Sequence, residues 1–423
     1  MLAFLYGLSL VEATPVYRET VAVTAALLAL YGAGLVRLVP AASSAILGEE
    51  PHLKREGERT FRRCGTRELF KLFLIVLLVR LLEFPLTYIV HYAMFGYTGT
   101  FFEVQRLWLD FYHPETAFPL YGYLSDIFWI FTVNFNHARF IGSYFFTSLA
   151  VVALYYLVQL DFDRKVARRA VRYFLLLPFS LTLMGTVPDG LFLLFAILTL
   201  LFIRKKWFPA ASGFAMLAVL THALGVLLFV PLLFGYLSFL IGNVRANRGT
   251  EKGYIFKQIL TVLSLLLVPL GAGLVMLYGN LRFGDALSLY RSAFGTDGAG
   301  LSGLFRFTDA TFLETRTVGG NALAVLFGTY VSQFAYLLFA LVMLLLAADT
   351  VPSSFALLMA VTIPITSVTG RMQDTAGFIT ITAPFVITFA AKIKNRWIDA
   401  FVTVLLFGAW IAYFFAFIAG FTG

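Results

Sequence analysis

The run "LFLIVLLVRLLEFPLTYIVHYAMF" (Leu72 to Phe95) decides the fold, because it is predominantly apolar and Arg80 and Glu83 are its only acidic or basic residues apart from His91. A helix of about 20 apolar residues crosses the hydrocarbon layer of a membrane. The segment directly before it, "KREGERTFRRCGTRELFK" (Lys54 to Lys71), is strongly basic. A basic loop followed by a long apolar run predicts a membrane-spanning helix that enters from the cytoplasm.

The rest of the composition extends this prediction to the whole chain. Of the 423 residues, 60% are hydrophobic and only 13% are charged, and the mean hydropathy is +0.85. Apolar runs recur to the C-terminus, so we predict an all-α polytopic integral membrane protein in the cell membrane or endoplasmic reticulum. Residues 1–19 lack the basic region of a signal peptide, and we expect them to stay in the mature chain.

Basic residues fall in short loops between the apolar runs, which excludes a nucleic-acid surface despite the net charge of +9. The single cysteine, Cys64, excludes an intramolecular disulfide. Placing five basic loops on the cytoplasmic side predicts about 12 crossings with both termini outside. The predicted helices are 20–41, 72–95, 141–160, 173–187, 190–203, 207–221, 224–242, 258–279, 321–347, 351–368, 377–391 and 397–420.

Two long external loops follow from this topology. The first, 96–140, contains "FPLYGYLSDIFWIF" (Phe118 to Phe131), which we interpret as re-entrant or interfacial rather than as a crossing. The second, 280–320, is rich in glycine and polar residues. We therefore divide the chain into 1–71, an extra helix with a basic loop, and 72–423, the main transmembrane domain.

Sorting polar residues by topology places one group of charged and polar side chains at or near the outer surface. Carboxylates supply a general base or a metal ligand, while arginine and histidine bind a phosphate or a developing anion. Such a mixture suits group transfer from a lipid-linked phosphate. The candidates are Glu103, Asp110, Glu115, Asp189, His222, Asp285 and Arg371.

Each candidate also has a structural interpretation. The three acids of the first loop are explained equally well as solvated loop residues, and Glu115 after Pro114 resembles a turn residue. We rank Glu103 and then Asp110 above it as the catalytic base, because Glu103 closely follows a helix end.

The remaining candidates have simple local explanations as well. Asp189 and Asp285 are each placed to cap a helix. His222 is more often a helix-end residue satisfied by the backbone, and Arg371 is an ordinary interfacial anchor if it binds no phosphate.

Arg80 and Glu83 lie three residues apart within the predicted second helix, where they can neutralise each other. We interpret them as a structural pair. No CxxC, HExxH, GxGxxG or P-loop pattern is present, so no zinc site or nucleotide pocket has support.

Five motifs occur in an order that resembles the GT-C glycosyltransferases, specifically the PIG-V-like branch related to GPI mannosyltransferase II. Among them, "AFPLYGYL" (Ala117 to Leu124) is similar to the family's F-F-P-L-Y-P element, and "LAVLTHALGVLL" (Leu217 to Leu228) to its L-T-R-P-T-G-L-L element. The other three are "ARRAVRYFLLLPFSLTLMGTVPDGLFLLFAILTLLF" (Ala167 to Phe202), "LRFGDALSLYRSAFG" (Leu281 to Gly295) and "SVTGRMQDTAGFITITAPFVITFA" (Ser367 to Ala390).

The resemblance implies a GT-C-like helical bundle that transfers a sugar, mannose first, from a polyprenyl or dolichyl phosphate to a hydroxyl acceptor on a glycolipid, glycan or protein. It implies inversion, a loop carboxylate as base, and a donor phosphate held by Arg371 or His222, with no nucleotide pocket and no metal cofactor. Membrane lipid is the other expected partner.

The chain also departs from the family pattern. The tryptophan–aspartate of the first loop is replaced by "FFEVQRLWLD", the tyrosine–serine–glutamate by "VPD", and an arginine by His222. Two alternatives therefore remain: a noncatalytic membrane assembly subunit, and a transporter of lipid or solute.

Overall fold

The computed structural model describes residues 15–46, 65–95, 118–132, 135–184, 188–245, 252–294, 332–368 and 375–418. Every regular element within these ranges is helical. The α-helices are α1 (Pro15–Ile46), α2 (Thr66–Phe95), α3 (Pro119–Ser125), α4 (Trp129–Thr132), α5 (Phe135–Asp161), α6 (Arg164–Leu176), α7 (Asp189–Arg204), α8 (Phe208–Thr221), α9 (Phe229–Arg245), α10 (Lys252–Leu265), α11 (Leu267–Phe283), α12 (Ser288–Phe294), α13 (Ser332–Ala347), α14 (Ser353–Val368), α15 (Thr375–Ile381), α16 (Ala383–Lys392) and α17 (Arg396–Ile418).

Five helical segments within the described ranges are long and apolar enough to cross a membrane. Shorter apolar helices of 10–17 residues accompany them. The prediction of an all-helical chain with membrane-spanning helices is thus confirmed at this level, whereas the number of crossings and the division into 1–71 and 72–423 stay predictions. The five segments are Ala25–Ile46, His137–Asp161, Ala223–Arg245, Gln258–Phe283 and Arg396–Phe415.

The predicted crossing helix over 173–187 is wrong as a continuous α-helix. The preceding basic stretch is itself helical: α6 begins after Asp163, whose carboxylate accepts the Val166 N–H at 2.8 Å, a standard N-cap. The helix ends at Leu176, and the backbone of Leu177 is extended because the next residue is Pro178. A 3₁₀ helix, Pro178–Met184, then continues the chain.

Other predicted helices are interrupted rather than misplaced. The run 258–279 is divided between α10 and α11, and 377–391 between α15 and α16 just before Pro384. The helix predicted over 224–242 begins as a 3₁₀ helix, Ala223–Leu228, before α9.

The two predicted external loops also contain helical residues. The interfacial segment Phe118 to Phe131 consists of α3, a 3₁₀ turn at Asp126–Phe128 and α4, and α5 already begins at Phe135. The second predicted loop includes the end of α11 and all of α12, while 295–331 lies outside the described residues. Residues 135–140, which the prediction placed in the first loop, are therefore part of α5.

One end of the bundle is held together by ion pairs, and we call it the basic end. The C-terminal residues of α5 and α7 meet there, where Arg204 Nε lies 3.0 Å from Asp161 Oδ2. Because α5 and α7 therefore run in the same direction, α6 and the 3₁₀ helix Pro178–Met184 return the chain between them. The returning segment packs on α5, where the Ser143 hydroxyl donates to the Leu183 carbonyl at 2.9 Å.

The predicted Arg80–Glu83 pair is confirmed as a buried structural contact. Arg80 Nη1 lies 3.3 Å from Glu83 Oε2, and the two side chains are 1% and 10% exposed. The same nitrogen donates to the Ser180 carbonyl at 3.2 Å. This pair therefore joins α2 to the 3₁₀ helix Pro178–Met184 within the bundle.

At the basic end, Asp399 fastens α17 to α6. Its carboxylate accepts the Tyr173 hydroxyl at 2.7 Å, pairs with Arg172, and lies 3.2 Å from Arg169 Nε. We expect Asp399→Asn to lower the free energy of unfolding by about 2 kcal/mol, since several bonds to a charged group weaken together. The measurement is an unfolding titration with sodium dodecyl sulfate in mixed micelles.

A matched control is Asp349→Asn, which breaks an exposed pair with Arg37 whose side chains are 60% and 53% exposed. Such a pair contributes less than about 1 kcal/mol. Equal effects of the two substitutions would contradict the structural role given to Asp399.

Candidate functional site

Two predicted site residues stand at the opposite end of the bundle from Arg204. Asp189 is the first residue of α7, and His222 directly follows the last residue of α8. Because α7 and α8 are joined by a tight turn at 205–207 and pack side by side, the start of one lies beside the end of the other. His222 Nε2 is 3.6 Å from Asp189 Oδ1. We call this region the turn end.

The hydrogen bond of His222 to the backbone decides its protonation. Its Nδ1 accepts the Leu224 N–H at 3.1 Å and caps the 3₁₀ helix Ala223–Leu228. Since an accepting nitrogen carries no proton, the neutral ring holds its proton on Nε2, on the side of Asp189. Burial lowers the pKa of His222 to about 4, which keeps the ring neutral at physiological pH.

The structure thus supports the helix-end interpretation of His222. At 3.6 Å the contact with Asp189 is too long for a hydrogen bond and, with a neutral ring, is not an ion pair. The imidazole can donate one hydrogen bond from Nε2 to a ligand, but it brings no positive charge.

Three aromatic rings surround the imidazole. Phe192 is 5.0 Å from its centroid, Phe378 is 5.9 Å away, and Phe118 stacks at 6.5 Å. All three phenylalanines are buried. Phe118 also contacts the edge of Tyr290 at 5.5 Å, so the cluster extends to α12. We call these four residues with His222 the ring cluster.

Asp285 has the local bonds of a turn residue. Its Oδ1 accepts the Leu287 N–H at 2.9 Å, and its Oδ2 lies 2.8 Å from Arg291 Nη1. The turn follows Gly284, whose φ of 72° ends α11 in the left-handed conformation that favours glycine. Asp285 therefore sets the direction of α12, which carries Tyr290 to the ring cluster.

Four predicted candidates, Glu103, Asp110, Glu115 and Arg371, lie outside the described residues. The described residues that follow these segments in the chain nevertheless lie near one another. Phe118 directly follows segment 96–117, and α15, which contains Phe378, directly follows segment 369–374. Both phenylalanines contact His222.

A further long segment, 295–331, directly follows α12, which carries Tyr290. Sequence reasoning selected the polar residues of this region and missed the rings. Phe118 stands inside the quoted "AFPLYGYL" motif, so the motif itself was the available signal.

A small apolar cavity of about 10 Å³ lies beside the ring cluster, with Phe192 and Leu224 in its wall. Its hydroxyl groups belong to Thr362 and Thr382, which donate to carbonyls of their own helical segments at 2.8 and 2.7 Å. The cavity therefore offers a mainly apolar surface. Over the described ranges, no three His, Cys, Asp or Glu side chains are grouped closely enough to hold a metal ion.

In comparisons with known proteins, the chain matches no protein-family model, no curated protein and no solved structure.

Proposed function

We propose that the protein is a membrane glycosyltransferase, and that it moves a sugar, mannose as the first candidate, from a polyprenyl phosphate to a hydroxyl acceptor. The observation that supports the proposal is the contact of both Phe118 and Phe378 with His222. The segment with Glu103 and Asp110 and the segment with Arg371 both border phenylalanines of the ring cluster. Carboxylates and a cation are the groups that such a transfer requires.

The reaction assigns one role to each kind of group. A carboxylate of segment 96–117, Glu103 first and Asp110 second, removes the proton from the acceptor hydroxyl. The acceptor oxygen then attacks the anomeric carbon from the face opposite the phosphate, and the bond from that carbon to the phosphate oxygen breaks. The sugar configuration inverts, and the lipid phosphate leaves with the bonding electrons.

The leaving phosphate needs positive charge, which a neutral His222 does not supply. Arg371 takes this role in the proposal, because a guanidinium binds phosphate through two parallel hydrogen bonds. His222 donates a hydrogen bond from Nε2 to the donor, and the Asp189 carboxylate, 3.6 Å from that nitrogen, accepts one from a hydroxyl of the donor sugar. Asp189 is thus a substrate-binding residue rather than the base.

The test uses purified protein, radiolabelled polyprenyl-phosphate mannose and a total lipid extract, with a known mannosyltransferase as positive control. We expect Glu103→Gln or Asp110→Asn to lower the transfer rate about 100-fold or more, as the loss of a general base does. Asp349→Asn is the control, since its exposed pair lies outside the turn end. Thermal unfolding of each variant verifies that the fold is kept.

Three results would contradict the proposal. Unchanged transfer in Glu103→Gln, Asp110→Asn and Asp189→Asn would contradict the assignment of these three residues to the site. No transfer by the unsubstituted protein, with the positive control active, would favour a noncatalytic assembly subunit. Label that crosses a sealed vesicle without being joined to an acceptor would favour a transporter.

A further inference from the structure

An open groove of about 500 Å³ lies at the basic end, far from the ring cluster along the bundle. The first turns of α2 form one wall, and residues of α5 and α6 form the other. The lining residues are Gly65, Arg67, Glu68, Lys71, Leu72, Ile75, Tyr155 and Arg168.

The groove carries an excess of positive charge. Its one carboxylate, Glu68, accepts the Tyr155 hydroxyl at 2.7 Å and lies 3.4 Å from Arg164 and 3.8 Å from Arg168. Glu68 is therefore already neutralised by α6. Arg67 and Lys71, one helical turn apart and both exposed, add two more cations to the same wall.

The α2 surface becomes apolar immediately beyond these cations. Ile75, Leu78 and Leu82 are about 60% exposed each, and they continue the helix face that Arg67 and Lys71 begin. From Lys71 to Leu82 the helix rises by about 16 Å, at about 1.5 Å per residue. That length equals about half of a hydrocarbon core of about 30 Å, which is the depth of one lipid leaflet.

We propose that this groove binds an anionic phospholipid of the surrounding membrane. The phosphate headgroup pairs with Arg67, Lys71 and Arg168, and the acyl chains lie along the exposed apolar face of α2. Two features identify this occupant. The negative charge of the headgroup complements the cations of the groove, and the cations continue into an apolar stripe as long as one lipid leaflet is deep. The proposal is independent of sugar transfer, and its test contains no sugar donor.

The experiment measures binding of a fluorescent phosphatidylglycerol to the full chain in detergent micelles, beside a phosphatidylcholine with the same tails. We expect the protein to prefer phosphatidylglycerol. In Arg67→Gln with Lys71→Gln, binding of phosphatidylglycerol weakens by roughly twentyfold, about fivefold per cation, and binding of phosphatidylcholine stays the same. Neither substitution removes a partner of Glu68 seen in the structure.

The matched control is Lys165→Gln with Lys394→Gln, which removes two exposed cations outside the lining of the groove. It keeps the preference for phosphatidylglycerol. Equal weakening in both double variants would overturn the proposal in favour of nonspecific charge attraction. Inorganic phosphate at a few millimolar leaves the lipid bound, and complete displacement by it would overturn the lipid as the occupant. A protein with no preference between the two lipids would overturn it as well.

Discussion

Replacing Gly225 by alanine is expected to disrupt the turn end and to lower the free energy of unfolding by about 3 kcal/mol or more. A methyl group there would stand 2.4 Å from Val219 N and 2.5 Å from the Ala218 carbonyl carbon and Val219 Cα. These atoms are backbone of α8, so no side-chain rotation relieves the contact. The 3₁₀ helix Ala223–Leu228 has to move away from α8, and His222 moves with it.

Gly213→Ala is the matched control, because Gly213 lies on α8, the helix that Gly225 packs against, and a methyl group there meets nothing within 4 Å. Alanine is the better helix former by up to about 1 kcal/mol, so this substitution is neutral or stabilising. Unfolding of each variant in sodium dodecyl sulfate is the measurement. A Gly225→Ala protein with the unfolding midpoint of the unsubstituted chain would show that the packing of this turn is wrong.

Removing Glu83 alone is expected to lower the free energy of unfolding by about 3–5 kcal/mol, because it leaves a buried guanidinium without its counter-charge. Arg80 is 1% exposed, and the Ser180 carbonyl cannot neutralise it. Arg80→Met with Glu83→Leu removes both charges and is expected to cost less than Glu83→Leu alone. The unsubstituted protein, the two single variants and the double variant form a double-mutant cycle. Its coupling energy is measured by unfolding in mixed micelles.

The exposed pair of Arg37 and Asp349 provides the comparison cycle. With both side chains more than half exposed, its coupling energy is expected to stay below about 1 kcal/mol. Coupling energies of the same size in the two cycles would contradict a buried pair at Arg80.

Hydropathy alone predicted where most helices lie, because apolar runs separated by basic loops leave few alternatives. Hydropathy failed at 173–187, where the apolar residues continue past Pro178 but the α-helix ends before it. The proline removes an N–H donor and favours extended backbone before it, which a sum of hydropathies ignores. The amphipathic helix α6 was missed for the opposite reason, since its charges resemble a loop.

The site was predictable in part. Charge topology placed Asp189 and His222 at one surface, and the structure brings them within 3.6 Å. The charge topology left open whether His222 is a charged ligand or a helix cap, because the answer depends on one hydrogen bond, from the Leu224 N–H to the imidazole. The motif around Phe118 marked one segment of the ring cluster, but the cluster itself was missed, because none of the 46 phenylalanines stands out by composition.

The two ends of the bundle respond differently to the solution around them. Ion pairs such as Asp161 with Arg204 and Asp399 with Arg172 fasten the basic end, whereas stacked rings and a backbone cap fasten the turn end. Salt at 0.1 M largely screens exposed charges more than about 10 Å apart, weakens partly buried pairs much less, and leaves ring packing almost unchanged. High ionic strength therefore loosens the basic end first, and the region around His222 is the last to open.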